Sequence, residues 1–111
     1  MLLTNFVLLA LLGVSVTEAP FLQAEPVAAI GYGDLALDTS VGRAALRQRV
    51  AVAVRGFCAR HGDYVTPVSL RYDPNYCPDM MRSELMAEMP RAVRRAYSLA
   101  RREAGVRGRQ L

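Results

Sequence analysis

The sequence predicts an α+β fold that is mainly helical, with a short N-terminal extended segment and two helices joined by a disulfide-closed loop that has room for a second short strand. Three observations lead there. Apolar residues recur at helical spacing from Leu46 to Phe57 and again from Met81 to Ala100. Glycine-interrupted, tyrosine- and leucine-containing residues precede the first of these stretches, and the only two cysteines, Cys58 and Cys77, bracket the connection between them. A chain of 111 residues, 52% hydrophobic and 22% charged, makes one small domain and excludes the larger α/β cofactor-binding enzymes.

Residues 1–24 read as a secretory signal peptide. Leu2 to Val16 is almost wholly apolar and uncharged, yet short of the about 20 apolar residues that a spanning helix needs. A polar breaker with Glu18 and Pro20 follows, and cleavage is expected after Ala24, because a cut after Ala19 would place Pro20 at the scissile bond. No Lys or Arg precedes the apolar run, and an uncleaved membrane anchor is the alternative. The expected mature chain begins at Glu25 and is periplasmic or secreted. It comprises a domain over 25–105 and a flexible tail over 106–111.

Within the mature chain, Val27 to Leu37 reads as extended, with Gly31 and Gly33 weakening it as a regular strand. Asp38, Thr39 and Ser40 offer N-cap oxygens for a helix through about Cys58, with Leu46, Val50, Ala53, Val54 and Phe57 on one side and Gly62 as stop signal. Tyr64 to Tyr72 alternates loosely around Pro67 and suits a second short strand. After the Asp73-Pro74-Asn75 turn, Pro78 fits the first turn of a second helix running to about Glu103 and ended by Gly105. Its apolar stripe is Met81, Leu85, Met89, Ala92, Val93, Ala96, Leu99 and Ala100. Pro90 must kink or divide it, because proline removes a donor and crowds the preceding turn.

Two cysteines in an oxidising compartment predict one disulfide between Cys58 and Cys77. Closing a loop of about 20 residues contributes roughly 3 kcal/mol in the chain-entropy model, a large share for so small a core. The wide spacing argues against a redox dithiol. The sharper alternative is zinc bound by Cys58, His61 and Cys77, with Asp79 as a fourth ligand, although no tight ligand-pair repeat is present. The default expectation is no metal and no cofactor.

The run Ile30-Gly31-Tyr32-Gly33-Asp34-Leu35-Ala36-Leu37, followed by Gly42, Arg43, Leu46, Arg49 and Cys58, resembles the UrcA family of small exported bacterial proteins. In that family a tyrosine, aspartate and leucine motif leads into a basic helix ending in cysteine. A second cysteine precedes an alanine-rich helix, matched here by Cys77, Ala92 and Ala96. The motif residues are therefore Tyr32, Asp34, Leu35, Gly42, Arg43, Leu46 and Arg49. Ala36 stands where the family motif usually carries a second acidic residue, and the helix after Cys77 is longer here. The resemblance implies export and the disulfide and supplies no mechanism.

No catalytic constellation emerges. His61 is the single histidine, and it pairs with Cys58 as a nucleophile only if that thiol stays reduced. Asp34 and Asp38 suit local turn and capping bonds better than a shared proton. The remaining hint is the net charge of +4. Arg91, Arg94, Arg95, Arg101 and Arg102 gather opposite the apolar stripe of the second helix, a face suited to solvent or, as the alternative, to anionic lipid or polymer. All 14 basic residues are arginine, so arginine identity there is weak evidence for phosphate recognition. The sequence thus predicts a non-enzymatic structural or interaction protein of the cell envelope. Its partner is an envelope protein or component, with at most weak membrane-surface contact and no nucleic acid.

Overall fold

A computed structural model of the protein describes residues 28–111, and the expected signal peptide and its cleavage site lie outside the described residues. The described chain is mainly helical, with α1 over Ser40–Val65, α2 over Tyr76–Glu88 and α3 over Arg91–Glu103. No strand occurs among the described residues, so the β part of the expected fold class is corrected.

α1 starts where the hydroxyl of Thr39 accepts from the Gly42 N–H at 3.0 Å, satisfying one of the free donors of the first turn. The same hydroxyl donates to the Ala36 carbonyl at 2.8 Å, tying the cap to the segment before it. Leu46, Val50, Val54 and Phe57 line the buried side of the helix. Gly62 does not stop it. A glycine costs about 1 kcal/mol in a helix interior, and here Val65 packing on the core and the Thr66 N–H bonded to the Gly62 carbonyl at 2.9 Å carry the helix past it. The terminator is Pro67, which pushes Thr66 into extended geometry.

The expected second strand, Tyr64 to Tyr72, is replaced by the end of α1 and a 3-10 turn at Val68–Leu70. Loose alternation specifies a strand only where a partner edge accepts its hydrogen bonds, and the local Leu70 N–H to Pro67 carbonyl bond at 2.8 Å takes that role. Tyr72 is 98% exposed, so the alternation buries no face. Of the expected extended segment from Val27 to Leu37, Val27 lies outside the described residues, 28–32 pair with no strand, and from Tyr32 on the chain takes two turns, closed by Leu35 N–H to Tyr32 carbonyl (3.0 Å) and Thr39 N–H to Ala36 carbonyl (3.1 Å).

Pro90 divides the predicted second helix. Met89 is extended ahead of it, and α3 restarts with the Arg94 N–H bonded to the Pro90 carbonyl at 3.0 Å. α2 begins two residues before Pro78, whose missing N–H falls in the first turn, where no intrahelical partner exists. The chain can then fold α2 and α3 separately against α1. Met81 and Leu85 of α2, Met89 at the corner, and Val93, Ala96 and Tyr97 of α3 join the α1 stripe in one core. α3 ends in a reversal around Gly105 (φ 70°), with Gly105 N–H on Arg102 and Val106 N–H on Arg101.

Candidate functional site

The motif residues cluster, and what they build is a clamp. Asp34 receives two bonds from the Arg49 guanidinium, both at 2.7 Å, and the same guanidinium donates to the Gly31 carbonyl at 2.9 Å. The bidentate pairing holds the Asp34 carboxyl down at about 2 and raises the arginine in turn. Arg43 grips Glu103 of α3 through Nε (2.5 Å) and Nη2 (3.2 Å), and also donates to the Leu37 carbonyl at 3.3 Å. That pairing lowers Glu103 and raises Arg43. Gly42 lies directly beneath the Ala36 carbonyl, where a Cβ would come within 1.8 Å of the oxygen. Leu46 is fully buried, and Tyr32 and Leu35 lie half-buried on the core.

Arg49, Arg43 and the close approach at Gly42 together hold residues 31–37 against α1. Asp34 and Asp38 do not form a carboxylate pair, since Asp34 is taken by Arg49 and Asp38 is exposed. Cys58 and Cys77 are bonded to each other with 5.8 Å between their Cα atoms, pinning the third quarter of α1 to the start of α2. The bond withdraws both thiolates from nucleophilic and zinc chemistry. Among the described residues no group of three His, Cys, Asp or Glu side chains is placed to hold a metal ion. His61 rests its ring against Phe57, with centroids 5.1 Å apart.

Four of the five predicted anion-facing arginines, Arg91, Arg94, Arg95 and Arg102, are exposed along α3. Arg101 turns instead toward the C-terminal residues, where it donates to the Gly108 and Gln110 carbonyls. Within the predicted apolar stripe, Ala92 is exposed and Leu99 lies outside the core, while Tyr97 is fully buried. Its position four residues after Val93 was the available signal. Burial pushes the Tyr97 hydroxyl up, against the pull of Arg82, Arg101 and Arg47, and among the described residues the Arg82 guanidinium lies beside it, short of strict hydrogen-bonding geometry.

An open groove of about 560 Å³ lies between residues 28–32 and α2. Ala28, Ile30 and Tyr32 form one wall and Met81, Leu85 and Met89 the other, with Glu84 and Glu88 on the rim. No described helix is long and apolar enough to cross a membrane. No family profile, curated protein or solved structure matches the chain.

Proposed function

We propose that the protein is an exported, UrcA-like interaction module of the cell envelope that binds a partner protein and carries out no reaction. The observation behind this reading is the groove beside α2. Its walls are apolar and include Met81 and Met89, side chains that adapt to varied shapes, and its rim carries the acidic Glu84 and Glu88. Charge complementarity points to one kind of occupant, an apolar partner segment flanked by Lys or Arg. The motif residues steady the wall that holds Tyr32, because Arg49 binds Gly31 and Asp34 and Arg43 binds Leu37.

A photo-crosslinking residue placed at Ala87 in intact cells tests this, with the same residue at Val52, exposed on α1 outside the groove, as reference. The expected result is capture of one protein from Ala87 alone, through a mapped apolar segment with basic flanks, and loss of capture when Glu84 and Glu88 are both changed to Lys. Capture that survives the charge reversal, or that is equal from Val52, overturns the reading.

A second reading rests on the four exposed arginines of α3, which form no ion pair among the described residues. An anionic surface would meet a contiguous basic helix face there.

A further inference from the structure

Three arginines, one from each helix, meet at the buried end of Tyr97. Arg47 of α1 donates to the main-chain oxygen of Leu111 at 2.8 Å. Arg82 of α2 donates to the Gly108 carbonyl at 3.3 Å, the oxygen that Arg101 of α3 also takes, and Arg101 reaches the Gln110 carbonyl at 2.9 Å. Residues 108–111 thus lie across the cluster and serve it with main-chain oxygens. Those acceptors leave much unused. Among the described residues the buried Nε–H groups of Arg47, Arg82 and Arg101 meet no acceptor, and the hydroxyl of Tyr97, a residue 0% exposed, has the Arg82 guanidinium beside it but outside strict hydrogen-bonding geometry. Native folds leave few such donors, and each calls for a physical explanation, a bound ion being one.

We propose that Arg47, Arg82, Arg101 and Tyr97 form a binding site for a phosphate group, covered by residues 106–111 as a displaceable strap. Shape selects the ligand class. A planar carboxylate offers two oxygens and suits one guanidinium fork, whereas three forks arriving from three helices, with a hydroxyl beneath them, match a tetrahedral oxyanion. Charge agrees. With residues 106–111 withdrawn, Asp79, 2.9 Å from Arg82, is the carboxylate left on the cluster among the described side chains, so three cations against one anion leave room for a phosphate dianion. Asp79 also contacts Arg109 at 3.4 Å, and Asp73 contacts it at 3.6 Å. Arg109 thereby adds surface ion pairs, of the kind readily given up, to the main-chain bonds and the Leu111 packing that hold the strap.

The test uses the full mature chain and nitrogen-proton spectra that resolve the arginine Nε–H groups, titrated with sodium phosphate against sodium chloride at equal ionic strength. Saturable phosphate shifts are expected at Arg47, Arg82 and Arg101, with the amides of Val106–Leu111 shifting in parallel as the strap leaves. Arg101→Gln should weaken phosphate binding at least tenfold and Tyr97→Phe several-fold, and Arg47→Gln serves if Arg101→Gln does not give a native amide spectrum. O-phosphoserine as a further titrant separates the two sources of the group: tighter binding than inorganic phosphate assigns the site to a phosphorylated partner, weaker binding to free phosphate. Shifts no larger than those in chloride, unchanged affinity in the glutamine variants, acetate binding as tightly as phosphate, or strap amides that stay put while the arginines respond each overturn the proposal.

Discussion

Replacing Gly42 by alanine sets local helix physics against tertiary contact within one residue. Alanine is favoured over glycine in a helix by about 1 kcal/mol, so α1 alone should gain. The added Cβ, however, would stand 1.8 Å from the Ala36 oxygen and 2.5 Å from its carbon, both backbone atoms with no rotamer to escape into. Ala36 must retreat by more than an ångström, and it takes with it the acceptor of the Thr39 hydroxyl and of the Thr39 N–H. A disturbed cap costs about 1 kcal/mol and backbone overpacking about 1 to 3 kcal/mol. The net expectation is destabilisation of about 2 kcal/mol, a fall in Tm of roughly 10 °C for a domain this small. Gly62→Ala is the internal reference, because a Cβ there meets nothing within 4 Å and the same helix should gain up to about 1 kcal/mol. Urea denaturation of the three proteins, followed by far-ultraviolet circular dichroism, reads both signs. A Gly42→Ala variant as stable as the parent would refute the close seating of residues 31–37 on α1.

Changing Cys58 and Cys77 together to serine should cost roughly 3 kcal/mol by the loop-closure argument, while complete alkylation of both thiols in unreduced native protein would remove the bond from consideration. Asp34 is held at about 2 against an ordinary value of 3.8, first by the Arg49 side-chain bonds and then by backbone bonding. Its depressed carboxyl stabilises the fold fully above 3.8 and loses that contribution as pH falls toward 2. Carboxyl-carbon titration should place the Asp34 midpoint near 2, and a midpoint at the ordinary value would mean that the pair with Arg49 does not persist in solution. Changing Arg91, Arg94, Arg95 and Arg102 to glutamine should leave the fold intact, since Val93, Ala96 and Tyr97 supply the packing of α3. Cosedimentation of the parent with anionic vesicles should be weak, and strong salt-sensitive binding lost in the glutamine variant would establish the basic face as a membrane-surface site.

The local signals carried far where the physics was local. The Thr39 cap, the Leu46–Phe57 stripe, the break at Pro90 and the end of α3 before Gly105 each follow from backbone geometry or side-chain spacing within a few residues. The disulfide pairing needed only two cysteines in the chain. Signals that depend on a distant partner did not carry. Tyr64 to Tyr72 alternates, but a strand exists only if another edge is there to pair with it. Gly62 is a stop signal only when nothing downstream, such as Val65, rewards continuing the helix.

The same division holds for the candidate sites. Composition, periodicity and residue type sufficed for a mainly helical chain with Cys58 and Cys77 positioned to be bridged and a basic face on its last helix, although they also suggested a strand that the fold lacks among the described residues. That Asp34, Gly42, Arg43 and Arg49 are spent on seating residues 31–37 against α1 emerges from the folded chain alone. Only the tertiary structure turned Arg101 away from the exposed face and brought it with Arg47 and Arg82 to the hydroxyl of Tyr97. The physical reason is distance along the chain. A guanidinium's role is set by whatever oxygen lies within about 3 Å of it, and for Arg43 and Arg47 those oxygens are 60 and 64 residues away.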